Sequence, residues 1–170
     1  DRYGEDKVEA LSDRLSEEYK GFLIKDLEDL YAITDSLIVC KYGTMWPPIY
    51  YFDHFAKLIP LLTGMKEYGD VSYVRLVAER ISNLRRCFNV REGITRRDEN
   101  LPKRFTEEPM PHGPAKGHVC NLEPMLREYY QYRRWDYETG LPYRETLEEL
   151  GLKDVADELE AMGRVKRREG

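Results

Sequence analysis

Apolar positions recur every three or four residues along most of the chain, which is the signature of amphipathic helices. Val8, Leu11, Leu15 and Tyr19 keep that step through a highly charged opening, which Gly21 interrupts. A second segment, 23–42, carries Leu23, Leu27, Leu30, Tyr31, Ile33, Leu37 and Ile38 in helical register. Gly43 and the Pro47-Pro48 pair end it, since proline can neither donate to the helix ladder nor continue it. Tyr50, Phe52, Phe55, Leu58, Ile59 and Leu62 then make an apolar stripe too wide to be left in water, closed by Gly64.

The next helix has the clearest signals. Asp70 stands where its carboxylate can accept the orphan backbone donors of a first turn. Val71, Val74, Val77, Ile81, Leu84 and Phe88 follow in register, and Gly93 stops a helix of about six turns. From 92 to 120 the period vanishes under Pro102, Pro109, Pro111 and Pro114. So long an irregular stretch inside a compact domain is functional or lies against something else. Asn121 caps a further helix, with Pro124 tolerated in its first turn and Leu122, Met125, Leu126, Tyr129 and Arg133 as its stripe. Two short helices, 143–150 and 153–162, follow, separated by Gly151, and Gly163 releases a basic tail. No window alternates with period two for long. The expectation is an all-α domain with one long ordered loop, 92–120, preceded by a charged helical extension, 1–21; the main domain is 22–170.

Composition narrows the classes. Of 170 residues, 41% are hydrophobic and 35% charged, a globular balance rather than a disordered one. The net charge of −5 argues against a nucleic-acid grip. Residues 71–134 alone carry 13 basic and 8 acidic side chains, which suits either a solvated face or a surface for an acidic partner. No apolar run reaches the roughly 18 residues of a membrane span, and no signal peptide opens the chain. Asp1 in first position is read as a trimmed terminus. Cys40, Cys87 and Cys120 lie too far apart for a CxxC knuckle and cannot form a closed disulfide set, which points to a reducing cytoplasm.

Chemistry-bearing residues are few. Asp35 and Cys40 are five positions apart, about 140° around a helix, so they do not share a face. If both serve ligands, the chain must end or bend there, offering each to a different neighbour; otherwise Cys40 is a small buried residue late in an amphipathic helix. His54 lies among aromatics and reads as packing. His112, His118 and Cys120 would hold a metal only if the loop folded back. The arginines Arg85, Arg86, Arg91, Arg96, Arg97 and Arg104 suit phosphate or salt bridges to nearby Glu92, Asp98 and Glu99. Tyr129, Tyr130, Tyr132, Trp135 and Tyr137 suit base stacking or a core.

Several pieces, in order, resemble a known family. They are Asp35-Ser36-Leu37-Ile38-Val39-Cys40, similar to an Asp-x4-Cys motif; Arg86-Cys87-Phe88-Asn89-Val90-Arg91-Glu92-Gly93 running into Arg97-Asp98-Glu99-Asn100-Leu101-Pro102 and Arg104; Glu108-Pro109; Met125-Leu126, then Glu128-Tyr129-Tyr130 and Arg133-Arg134-Trp135-Asp136; and Leu147 with Leu150-Gly151-Leu152. Together, over about 22–162, they resemble the C-terminal part of tungsten-containing aldehyde:ferredoxin oxidoreductases.

The resemblance implies oxidation of aldehydes to carboxylic acids by a tungsten-bis-pterin centre, with a [4Fe-4S] cluster passing electrons to ferredoxin. By the motif, Cys40 matches the fourth cluster ligand, Asp35 the acidic residue that hydrogen-bonds the pterin, and Val39 a backbone contact to it. The family's CxxCxxxC motif and its sheet-containing pterin domain are not in this sequence. Hence the chain alone is expected to be inactive and cofactor-free, with the remaining N-terminal domains or subunit as its partner. Faces made for that partner, in 46–62 and 92–120, are expected to be exposed or covered by self-association. The alternative is a helical interaction module that kept the fold without the chemistry. Arg134 stands where the family typically has glycine, which asks whether that position needs a positive φ.

Overall fold

The helix that the periodicity made clearest is also the one that organises the molecule. In a computed structural model describing residues 3–42 and 50–168, the helices in chain order are α1 (Val8–Ser12), α2 (Lys20–Ser36), α3 (Phe52–Thr63), α4 (Val71–Arg91), α5 (Lys103–Thr106), α6 (Leu122–Arg133), α7 (Arg144–Glu149) and α8 (Lys153–Ala161). Among the described residues, extended structure is limited to isolated bridges between Trp135 and Pro142 and between Tyr143 and Lys166. The class is all-α, as expected.

Asp70 caps α4 as its sequence suggests, its carboxylate accepting the Ser72 N–H at 2.8 Å. The N-terminal half of α4 puts Val74 and Ala78 into a core with Leu30, Ile33, Tyr51, Phe52, Phe55, Ala56 and Ile59. Its C-terminal half puts Cys87 and Val90 into a second core with Leu147, Ala156 and Leu159. One helix thus joins two hydrophobic clusters. Its buried side differs from the expected stripe: Asn83 and Arg86 are buried on it, whereas Leu84 and Phe88 are 46% and 56% exposed.

The polar residues on that side belong to an ionic layer where α2 crosses α4 and α6. Arg133, with no exposed surface, donates to Asp29 at 2.6 Å and to Glu28 at 2.7 Å. Asp29 also accepts from Ser82 of α4 at 2.8 Å and pairs with Lys25. Burial opposes the charge on Arg133, but the adjacent carboxylates outweigh it and hold the guanidinium above its ordinary pKa. Arg86 pairs with Glu99, donates to the Gly140 carbonyl, and lies 4.5 Å over the Trp135 ring. Arg86, Arg133, Tyr130 and Trp135 are structural: Tyr130 is fully buried, and Trp135 Nε1 donates to Asn83 at 2.8 Å.

Other expectations need correction. The opening helix is short, ending at Ser12, and Gly21 lies inside the first turn of α2 rather than between helices. The reason is contact: a Cβ at Gly21 would lie 2.3 Å from the Tyr129 backbone N, so the missing side chain lets α2 approach α6. Asn121 occupies the N-cap position of α6 without a side-chain hydrogen bond. The 92–120 stretch contains a 3-10 turn, Arg96–Asp98, and the short α5. His112, His118 and Cys120 form no metal site, since no three His, Cys, Asp or Glu among the described residues are gathered for one. The expected stops at Gly43, Pro47 and Pro48 lie outside the described residues.

α3 is apolar on two flanks. Phe52, Phe55, Ala56 and Ile59 are buried, while Leu58 (39%), Leu61 (82%), Leu62 (81%) and Met65 (50%), also in i, i+3, i+4, i+7 register, face water. This is the exposed apolar surface expected in 46–62, as far as residues 50–62 describe it.

A turn that presents Asp35 and Cys40

Helix α2 ends at Ser36, six residues short of the 23–42 segment, in a left-handed turn. Ile38 has φ 57°. Its N–H donates to the Asp35 carbonyl at 3.1 Å, and the Val39 N–H donates to the Thr34 carbonyl at 3.0 Å. This pair of bonds satisfies two of the helix's orphan carbonyls, with the left-handed residue between them.

The same pair of bonds closes four other helices. α4 uses Gly93 and Ile94, α7 uses Gly151 and Leu152, α8 uses Gly163 and Arg164, and α6 uses Arg134 and Trp135. Glycine holds the left-handed position in three of the five, at φ 98°, 72° and 65°. Arg134 holds it at φ 59°, answering the question raised by the family's glycine there. Its guanidinium pairs with Glu79 at 2.9 Å and with Glu149, so its cost is offset inside this chain.

The left-handed turn at Ile38 falls between Asp35 and Cys40, where the chain has to end or bend if both serve ligands. Both are exposed, on either side of the reversal. Val39 between them is half-buried and packs against the first core. Its N–H is committed to the Thr34 carbonyl at 3.0 Å. The reading of Cys40 as a small buried helix residue therefore fails; Cys87 fits that description instead, and burial pushes its thiol up to about 12.

Asp35 lines a shallow groove between α2 and α4 with Tyr31, Lys41, Ile81 and Arg85. Lys41 reaches back to the Asp35 carboxylate at 3.0 Å and lies 5.7 Å from the Tyr31 ring centre. The pair is about half exposed on each side, so water screens it and its strength is small. Sequence reasoning missed Lys41 and the left-handed Ile38. The detectable signal was positional: Ile38 follows a run of helical periodicity where other helices of this chain place glycine.

As a metal site the turn is incomplete. Cys40 offers one accessible thiol, a donor suited to a soft iron site, and no group of three or more His, Cys, Asp or Glu is gathered for a metal among the described residues. The donor set fits one corner of a cluster.

The chain matches the family model "Aldehyde ferredoxin oxidoreductase, domains 2 & 3" over residues 3–152. It is 39% identical over 128 residues to the tungsten-containing aldehyde ferredoxin oxidoreductase of Pyrococcus furiosus, covering 75% of this chain and 20% of that protein. The corresponding protein of Thermococcus kodakarensis is 38% identical with the same coverage. An aliphatic sulfonate oxidoreductase WOR-like subunit of Pyrococcus furiosus is 29% identical over 159 residues, 88% of this chain and 23% of that one. Among solved structures, the active site complex BamBC of benzoyl coenzyme A reductase with 1,5 dienoyl-CoA superposes with TM-score 0.72 at 24% identity, over 93% of this chain and 23% of that one, a likeness of fold. The chain spans about a fifth of the length of the curated relatives it matches.

Proposed function

The chain belongs to the aldehyde ferredoxin oxidoreductase family, and from that premise we propose that it is the helical C-terminal domain of a tungsten-pterin, [4Fe-4S] aldehyde:ferredoxin oxidoreductase. The observation that carries this reading is the exposed left-handed turn after α2, which leaves the Asp35 carboxylate and the Cys40 thiol both open to solvent on either side of Ile38 in the chain. In the complete enzyme the tungsten-pterin supplies two-electron oxidation of an aldehyde to a carboxylic acid, and the cluster supplies single-electron transfer to ferredoxin.

The residues of this chain do the holding. Cys40 supplies the fourth cluster thiolate. Asp35 accepts hydrogen bonds from pterin ring N–H groups, exchanging its screened pairing with Lys41 for them. Val39 meets the pterin through its backbone. The ionic layer of Arg133, Asp29 and Glu28 fixes the helix whose end carries all three. The other cluster ligands and the pterin cradle belong to the remaining polypeptide, so the isolated chain oxidises no aldehyde.

The test is metal and spectroscopic analysis of the assembled enzyme with Cys40→Ser. Loss of the reduced-cluster EPR signal, with tungsten retained, supports the assignment. An unchanged [4Fe-4S] signal refutes it. Stoichiometric iron and tungsten in the purified 170-residue chain would equally refute it, because one cysteine cannot hold the cluster.

A further inference from the structure

Of the five helix ends closed by the same two bonds, only Ile38 leaves its cost uncompensated within the described residues. A left-handed residue other than glycine costs roughly 1–2 kcal/mol, and a β-branched one is a genuine outlier there. Three of the ends escape that cost through glycine, and Arg134 is anchored by Glu79 and Glu149. Ile38 is neither: its side chain is 93% exposed, the most exposed large hydrophobic residue described. Asparagine or glycine would make the turn more cheaply and leave less apolar surface in water.

Strain of this kind persists where surroundings over-determine it. Among the described residues, the surroundings determine the backbone of the turn, through Thr34, Asp35 and the packing of Val39, but leave the isoleucine side chain 93% exposed. About four-fifths of the length of the matched relatives lies outside this chain, and the turn sits between the two groups assigned above to cofactors carried by that remainder. We propose that Ile38 is a positioning residue: its side chain seats in an apolar pocket of the enzyme's remaining polypeptide and fixes the turn that offers Asp35 and Cys40. This rests on the domain reading above. Leu37 and Tyr42, on the same short segment, are also 36% and 84% exposed.

The proposal predicts opposite signs for one substitution. In the 170-residue chain, Ile38→Gly relieves the left-handed residue and raises Tm by about 2–4 °C. In association with the Pyrococcus furiosus relative lacking its matching fifth, the same substitution weakens binding roughly tenfold or more, since a buried isoleucine side chain is lost. Ile38→Leu keeps the apolar bulk and restores most of that binding. The readouts are thermal unfolding by circular dichroism and a titration of the two polypeptides, with the relative's portion both loaded and free of cofactor. A Tm that falls on Ile38→Gly overturns the proposal, because the side chain then works inside this chain. Unchanged binding overturns it too, as does weakening seen only with the cofactor-loaded portion, which assigns the contact to the pterin. If the unsubstituted chain fails to bind at all, the domain reading falls, and this inference with it.

Discussion

The guanidinium of Arg133 on α6 donates to the Asp29 carboxylate of α2 at 2.6 Å, with both side chains sealed from water. Neither helix could place such a charge alone. The pair sits at the crossing that Gly21 opens, and Glu28, Ser82 and Lys25 complete its hydrogen bonding. Replacing Arg133 with Met leaves Asp29 buried without its main partner. The expected cost is about 3–5 kcal/mol in urea unfolding, and a cost below about 1 kcal/mol would contradict the layer's structural role.

Gly21 should tolerate no side chain. A Cβ there meets Tyr129 N at 2.3 Å and the Met125 carbonyl at 2.7 Å, both backbone atoms that cannot swing aside. Gly21→Ala is expected to destabilise by about 1–3 kcal/mol or more, although alanine is the better helix former. Denaturant midpoints decide it, and a gain in stability would show that the helices do not meet this closely.

Arg134 poses a different balance. Substituting glycine relieves a left-handed residue worth about 1 kcal/mol but removes pairs to Glu79 and Glu149 that are partly exposed and individually worth about 0–1 kcal/mol. Arg134→Gly should therefore be near neutral. Arg134→Ala loses the pairs and keeps the strain, so it should be the less stable of the two by about 1 kcal/mol. Thermal unfolding of both variants tests that ordering.

The exposed and the buried thiol should label in sequence. At pH 8, Cys40 is open to a maleimide reagent, whereas Cys87 is buried with its thiol pushed up to about 12 by burial, and so remains protonated. Mass spectrometry after brief labelling should find the modification at Cys40 first and at Cys87 only after unfolding. Early labelling of Cys87 would mean that the second core opens readily.

The outer flank of α3 should govern how the isolated chain behaves at high concentration. Leu61→Lys and Leu62→Lys together replace side chains that are 82% and 81% exposed, so Tm should move little. Sedimentation velocity should show less self-association than the parent chain. Identical sedimentation of parent and variant would assign any association to another surface.

Much of the architecture was legible because local chemistry and long-range packing agree. Asp70 capped α4, and Gly64, Gly93, Gly151 and Gly163 ended helices at positive φ, since those positions need backbone freedom whatever surrounds them. Gly21 misled because a glycine that breaks a helix and one that admits a neighbour look alike in sequence; the neighbour, Tyr129, is far along the chain. Buried Arg86 and Arg133 were equally hidden, since their countercharges Glu99 and Asp29 are brought to them by folding. Of the candidate site, the separation of Asp35 from Cys40 could be read from helical geometry. The residue that produces it could be read only from its position after a helical run, because nothing in isoleucine itself announces a left-handed turn.

A helix that is greasy on two sides has only one of them answered by its own fold. With α3 sheltered along Phe52, Phe55 and Ile59 but bare along Leu61 and Leu62, the 170-residue chain ends at an unfinished boundary with water. Any melting point recorded for it alone is therefore a floor, and covering that flank would lift it.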